Sequence, residues 1–119
     1  VIPWQRARKW YDSQSPETPF EALLAEYMSE GIVWSSPTEF LLARECLWED
    51  GTMYKGSEIR RNCYFIHLAS GDKPFKRFLE IAPRRLHWVA WQRRGREDYH
   101  VHKWEAFKRR VKNGKHNKS

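Results

Sequence analysis

Long apolar runs are missing from this sequence: the longest, such as residues 40–43 and 88–91, extend only a few positions, far short of the roughly 20 needed to cross a bilayer. A transmembrane helix is thereby excluded. Cysteine is scarce too. Cys46 and Cys63 are the only two; they neither demand a disulfide nor form a zinc pattern, and a reducing, cytoplasmic setting is the expectation. The opening VIPWQRARKWYD lacks the apolar stretch of a signal peptide, so secretion has no support, although the absence of an initiator Met allows for a removed segment. Repeats, low-complexity blocks and Gly/Ser linkers are also lacking. Neither a phosphate-loop pattern nor G-x-G-x-x-G occurs, so no nucleotide cofactor is expected. RNP-like aromatics, a GXXG loop, a paired Cys/His finger and helix-turn-helix spacing are missing as well.

What is present suits one core. The chain has 119 residues, 40% hydrophobic and 15% aromatic with seven Trp, enough large side chains to bury a single core without metal or disulfide staples. A compact domain over 1–113 is expected, with an N-terminal aromatic and basic arm and a hydrophilic tail over 114–119. The net charge of +7 conceals an asymmetry. Up to Ile59 there are 5 Lys and Arg against 10 Asp and Glu, a net −5; beyond it 17 stand against 5, a net +12. Such a field favours polyanions on the basic part, and pairing within or between chains on the acidic part.

Periodicity supplies the elements. In PFEALLAEYMSEG, Phe20, Leu23, Leu24, Tyr27 and Met28 recur at helical spacing before Gly31. Ser36-Pro37-Thr38-Glu39 matches a capping box with Pro at the first helical position, which predicts a second helix over 39–50 stopped at Gly51. A strand competes there, because Phe40, Leu42, Cys46 and Trp48 also alternate. Residues 52–62 read as a loop into CYFIHLAS, a central strand. Asp72 is expected to cap a short helix in FKRFLEIA. LHWVAWQR and DYHVHKW read as an antiparallel hairpin turning at RGRED, and Trp104, Phe107 and Val111 mark a terminal helix ending at Gly114. The composite is α+β: an antiparallel or mixed sheet of three to four strands with three to four helices packed on it.

The strongest functional pattern is basic. Arg84, Arg85, Arg93, Arg94 and Arg96 surround the hairpin, followed by Lys103, Lys108, Arg109, Arg110 and Lys112. Counterion release and the forked guanidinium suit such a cluster to a nucleic-acid backbone, and Trp91 and Tyr99 are candidates to stack on bases. A non-enzymatic polyanion-binding module is therefore the working expectation. The competing reading makes the aromatics core and the cations a solvated face. Two further functions are carried: a subunit that pairs acidic with basic surfaces between chains, and a small His-based enzyme. For the latter, His100 and His102 share a strand face and could hold a metal with His87 or with Glu97 or Asp98. Cys63 and His67 share a strand face but lie about 13 Å apart at strand rise, so His67 reads as a hydrogen-bonded core residue.

Overall fold

A computed structural model of the chain describes residues 2–55, 60–92 and 98–114. Among them the order is α1 (Pro3–Ser13), α2 (Phe20–Glu30), β1 (Ile32–Ser35), β2 (Glu39–Glu49), β3 (Thr52–Lys55), β4 (Cys63–Gly71), α3 (Pro74–Ile81), β5 (Trp88–Gln92), β6 (Tyr99–Lys103) and α4 (Trp104–Lys112). The α+β class stands, but the sheet has six strands rather than three or four. Its order is β1-β2-β4-β5-β6, with β3 paired to β2 off this path. All pairings are antiparallel except β4 with β5, which α3 joins in parallel. The radius of gyration, 13.6 Å, is close to the ~13.5 Å of one domain this long. No helix among the described residues is long and apolar enough to cross a membrane.

The helix expected over 39–50 is instead β2, the longest strand. Its apolar residues point to both sides because helices cover both faces of the sheet, and a strand buried on both faces has no clear alternation. Leu41 and Ala43 meet Phe78 and Phe107 on one side, while Phe40 and Leu42 meet Phe20 and Tyr11 on the other. The capping-box residues make a hairpin turn. Ser36 Oγ accepts from the amides of Thr38 and Glu39 at 3.2 and 3.0 Å, and the Ser36 amide donates to the Glu39 carbonyl at 2.9 Å. The two bonds to Ser36 Oγ are those a helix N-cap would also make, whereas the Ser36 amide bond to the Glu39 carbonyl belongs to the hairpin. Asp50 and Gly51, with φ of 52° and 74°, form the turn into β3, as a type I′ hairpin requires. Part of the expected 52–62 loop is thus strand.

Asp72 does not cap α3. The N-cap position belongs to Lys73, in the left-handed region at φ 62°, and no side chain bonds the exposed amides there. The remaining elements follow their periodicity. In α1, Pro3, Ala7 and Tyr11 fall four apart and are buried, and Trp4 and Trp10 pack on the same cluster. The sheet curls toward the α1–α2 side beyond these helices. Trp48 on β2 and Tyr99 on β6 have ring centroids 6.0 Å apart, although β4 and β5 lie between their strands, about 14 Å in a flat sheet. This curl encloses a third cluster of Cys46, Met53, Cys63, Phe65 and Ala90.

Candidate functional site

The charge asymmetry along the chain becomes an asymmetry between two helices on opposite sides of the sheet. α2, on one side of the sheet, carries Glu21, Glu26 and Glu30 and no cation; α4, on the other, carries Lys108, Arg109, Arg110 and Lys112 against Glu105. Phe107 and Val111 are buried and Trp104 is half-buried, which turns the rest of α4 outward. At about 100° per residue, Lys108, Lys112 and Arg109 share an outer arc of roughly 100°, and Arg110 falls on the opposite flank. The last-turn cations also complement the helix dipole.

Arginine and lysine divide the work. Arg8 pairs with Asp12 and Glu21, Arg44 with Glu26 and Glu30, Arg60 with Glu49, Arg77 with Glu39 and Glu80, Arg84 with Glu45, and Arg85 with Glu105. Glu39 is the buried member, its carboxylate 3.2 Å from Arg77 Nε. Every cation in these pairs is an arginine. Among the described residues no lysine enters an ion pair, and neither does Arg109.

The predicted basic cluster therefore separates into parts. Arg84 is held by Glu45 and by Tyr64, whose hydroxyl donates to the Arg84 carbonyl at 2.5 Å, and Arg85 faces Glu105 at 3.1 Å. Lys108, Arg109 and Lys112 are exposed on α4. Arg110 Nη1 lies 3.4 Å from His102 Nε2. Lys103 is exposed, but it pairs in register with Trp88, so strand alternation places it toward the sheet face opposite α4. Arg93, Arg94 and Arg96 lie outside the described residues, as does Glu97.

Trp91 and Tyr99 take opposite faces of the sheet. Trp91 packs on Phe75 and Phe107 at 5.2 and 5.7 Å, and His100 and His102 stack over it at 5.0 and 5.2 Å with interplanar angles of 17° and 25°. Tyr99 joins Trp48 and Phe65 under the curl. The His100 and His102 rings are themselves stacked, 4.5 Å apart at 26°, which aims their lone pairs side by side rather than at one point. His87 is exposed, ahead of β5. Among the described residues no three His, Cys, Asp or Glu side chains are grouped to hold a metal.

A second constellation was not apparent from spacing. The β2/β4 register shifts between Leu42 and Ala43, which leaves His67 without an opposite residue on β2, and the ring packs against Tyr11, Tyr27 and Phe65. His67 Nδ1 and the Tyr27 hydroxyl are hydrogen-bonded at 2.8 Å. Burial, with Lys55 and Arg44 adding, pushes the imidazole down to about 4, so it is neutral at neutral pH. The Lys55 ammonium sits 4.3 Å over the Phe65 ring, and burial lowers its pKa. The hydrogen-bonded core role expected of His67 is met; its partner, 40 residues away, could not be read from sequence. No family model, curated protein or solved structure matches this chain.

Proposed function

We propose that this chain is a non-enzymatic binding module for a polyanion, nucleic acid above all, which it engages through phosphate contacts on the outer face of α4. The observation that carries the reading is the division of partners: surface carboxylates, Glu105 of α4 among them, are paired with arginines, while Lys108, Arg109 and Lys112 project together without an ion-pair partner. A cation already paired must surrender its partner to bind a phosphate; these three need not. Arg110 flanks them, and Arg84 and Arg85 stand behind carboxylates as secondary contacts. Arg93, Arg94 and Arg96 belong to the proposal on sequence alone, being outside the described residues, and Lys103 would serve only a ligand that wraps the sheet edge.

The alternative of acidic and basic surfaces pairing between chains is weaker on the same ground, because Glu21, Glu26 and Glu30 already face Arg8 and Arg44. The His-based enzyme has less support, since the stacked His100 and His102 gather no third ligand from the described residues.

Fluorescence anisotropy with labelled RNA and DNA at low salt tests the proposal. The triple replacement Lys108→Glu, Arg109→Glu and Lys112→Glu should weaken binding by a factor of about 100 or more, since phosphate contacts supply most non-specific affinity. Unchanged affinity in the variant, or no binding by the parent, would overturn it. Sedimentation without nucleic acid separates the alternative: self-association dissolved by salt would favour pairing between chains.

A further inference from the structure

We infer that the ligand of the α4 face is the backbone of a nucleic-acid double helix, read through its phosphates with no base contact; this rests on the phosphate-binding reading above. Proteins that hold single strands combine a cationic groove with aromatic rings on which unpaired bases stack. The α3–α4 side of this molecule has exposed cations, while its aromatic rings are buried or half-buried and engaged with one another. Trp91 lies between the two imidazoles of β6 and the Phe75 and Phe107 rings. Trp104 is packed against Tyr64 and Phe78 at 6.0 and 6.3 Å. The large apolar side chains that are exposed among the described residues, Ile2, Met28 and Tyr54, belong to the start of α1, to α2 and to β3. None lies on α3 or α4.

The cations themselves suit a regular backbone. Lys108, Arg109 and Lys112 are fixed to one helix whose inner face is anchored by Phe107 and Val111 at 0% and 3% exposure, so their backbone positions form one rigid patch, with Lys108 and Lys112 in line along it. Lys108 and Lys112 stand about 6 Å apart along the axis, one helical turn. Such a line meets successive phosphates at no ordering cost to a regular duplex, whereas a flexible single strand must be straightened without stacking energy in return.

The test compares the full chain on labelled duplexes of two unrelated sequences and on the separated strands, with tryptophan emission followed in parallel. The expected result is duplex affinities within about 3-fold of each other, single strands bound at least about 5-fold more weakly, and no quenching of tryptophan. For three to four phosphate contacts the affinity should fall with salt at a log–log slope of about −3. Tighter binding of single strands, with quenching, overturns the duplex inference and leaves the phosphate reading standing. A preference of 10-fold or more between the duplex sequences overturns it too. Failure to bind either form at low salt removes the phosphate reading and this inference with it.

Discussion

At Gly71 the backbone has φ +107°, and a methyl group there would lie 2.1 Å from the Thr38 carbonyl oxygen. Both the conformation and the contact exclude a side chain, so Gly71→Ala should cost at least about 2 kcal/mol, read as a lowered urea midpoint; an unmoved midpoint would show that the 36–39 turn yields. His67 gives a prediction in pH. Its folded-state pKa, about 4, lies below the ~6.5 of an unfolded histidine. Between those values the unfolded chain binds more protons, so the stabilisation is whole above about pH 6.5 and lost as pH falls toward 4. Denaturant melts from about pH 7 to pH 5 should show a loss on the order of 2 kcal/mol, and His67→Phe should flatten that dependence. A parallel decline in both proteins would assign it to other groups.

Among the elements, those with one buried stripe were legible. α2, α3 and α4 each show their face in sequence, and the β5–β6 hairpin pairs as its composition suggests. β2 was not legible, since a strand covered on both faces carries a nearly continuous apolar run that also fits a helix. Ser36 made matters worse by offering hydrogen bonds common to a helix start and a hairpin turn. Asp50-Gly51 was a readable hairpin signal, overridden by the helix expectation. The β2–β4 pairing brings Cys46 opposite Cys63, both at 0% exposure, and burial pushes the Cys63 thiol up to about 12. Thiol reagents should therefore label neither cysteine until these central strands part. Labelling kinetics across a denaturant series should follow that opening, and rapid modification of the native chain would contradict so sealed a pair.

For the whole molecule, charge was the most informative property of the sequence, but its sum said less than its bookkeeping. Which cations were engaged depended on long-range partners such as Arg84 with Glu45, 39 residues apart, and no spacing rule supplies those. The same distances explain why Trp91 and Tyr99, near in sequence, could not be assigned to a shared platform: the strand pairing sends them to opposite faces. The cations clustered on α4 repel one another in the absence of a ligand. Phosphate should raise the melting temperature more than chloride at equal ionic strength, by about 4 °C for each kcal/mol of binding. The Lys108→Glu, Arg109→Glu and Lys112→Glu chain should lose that difference, and equal effects of the two salts would leave the cluster without an anion site.

The parallel pairing of β4 with β5 also sets an order of events. Strands β1 to β3 can close as successive hairpins, and β5 with β6 as another, but β5 reaches β4 only after α3 has crossed over the sheet. α4 then docks on α3 and the sheet face that they share. The Glu-bearing α2 can therefore pack on β1 and β2 from local pairings, whereas the α4 cations reach their places only once the crossover from β4 to β5 is made.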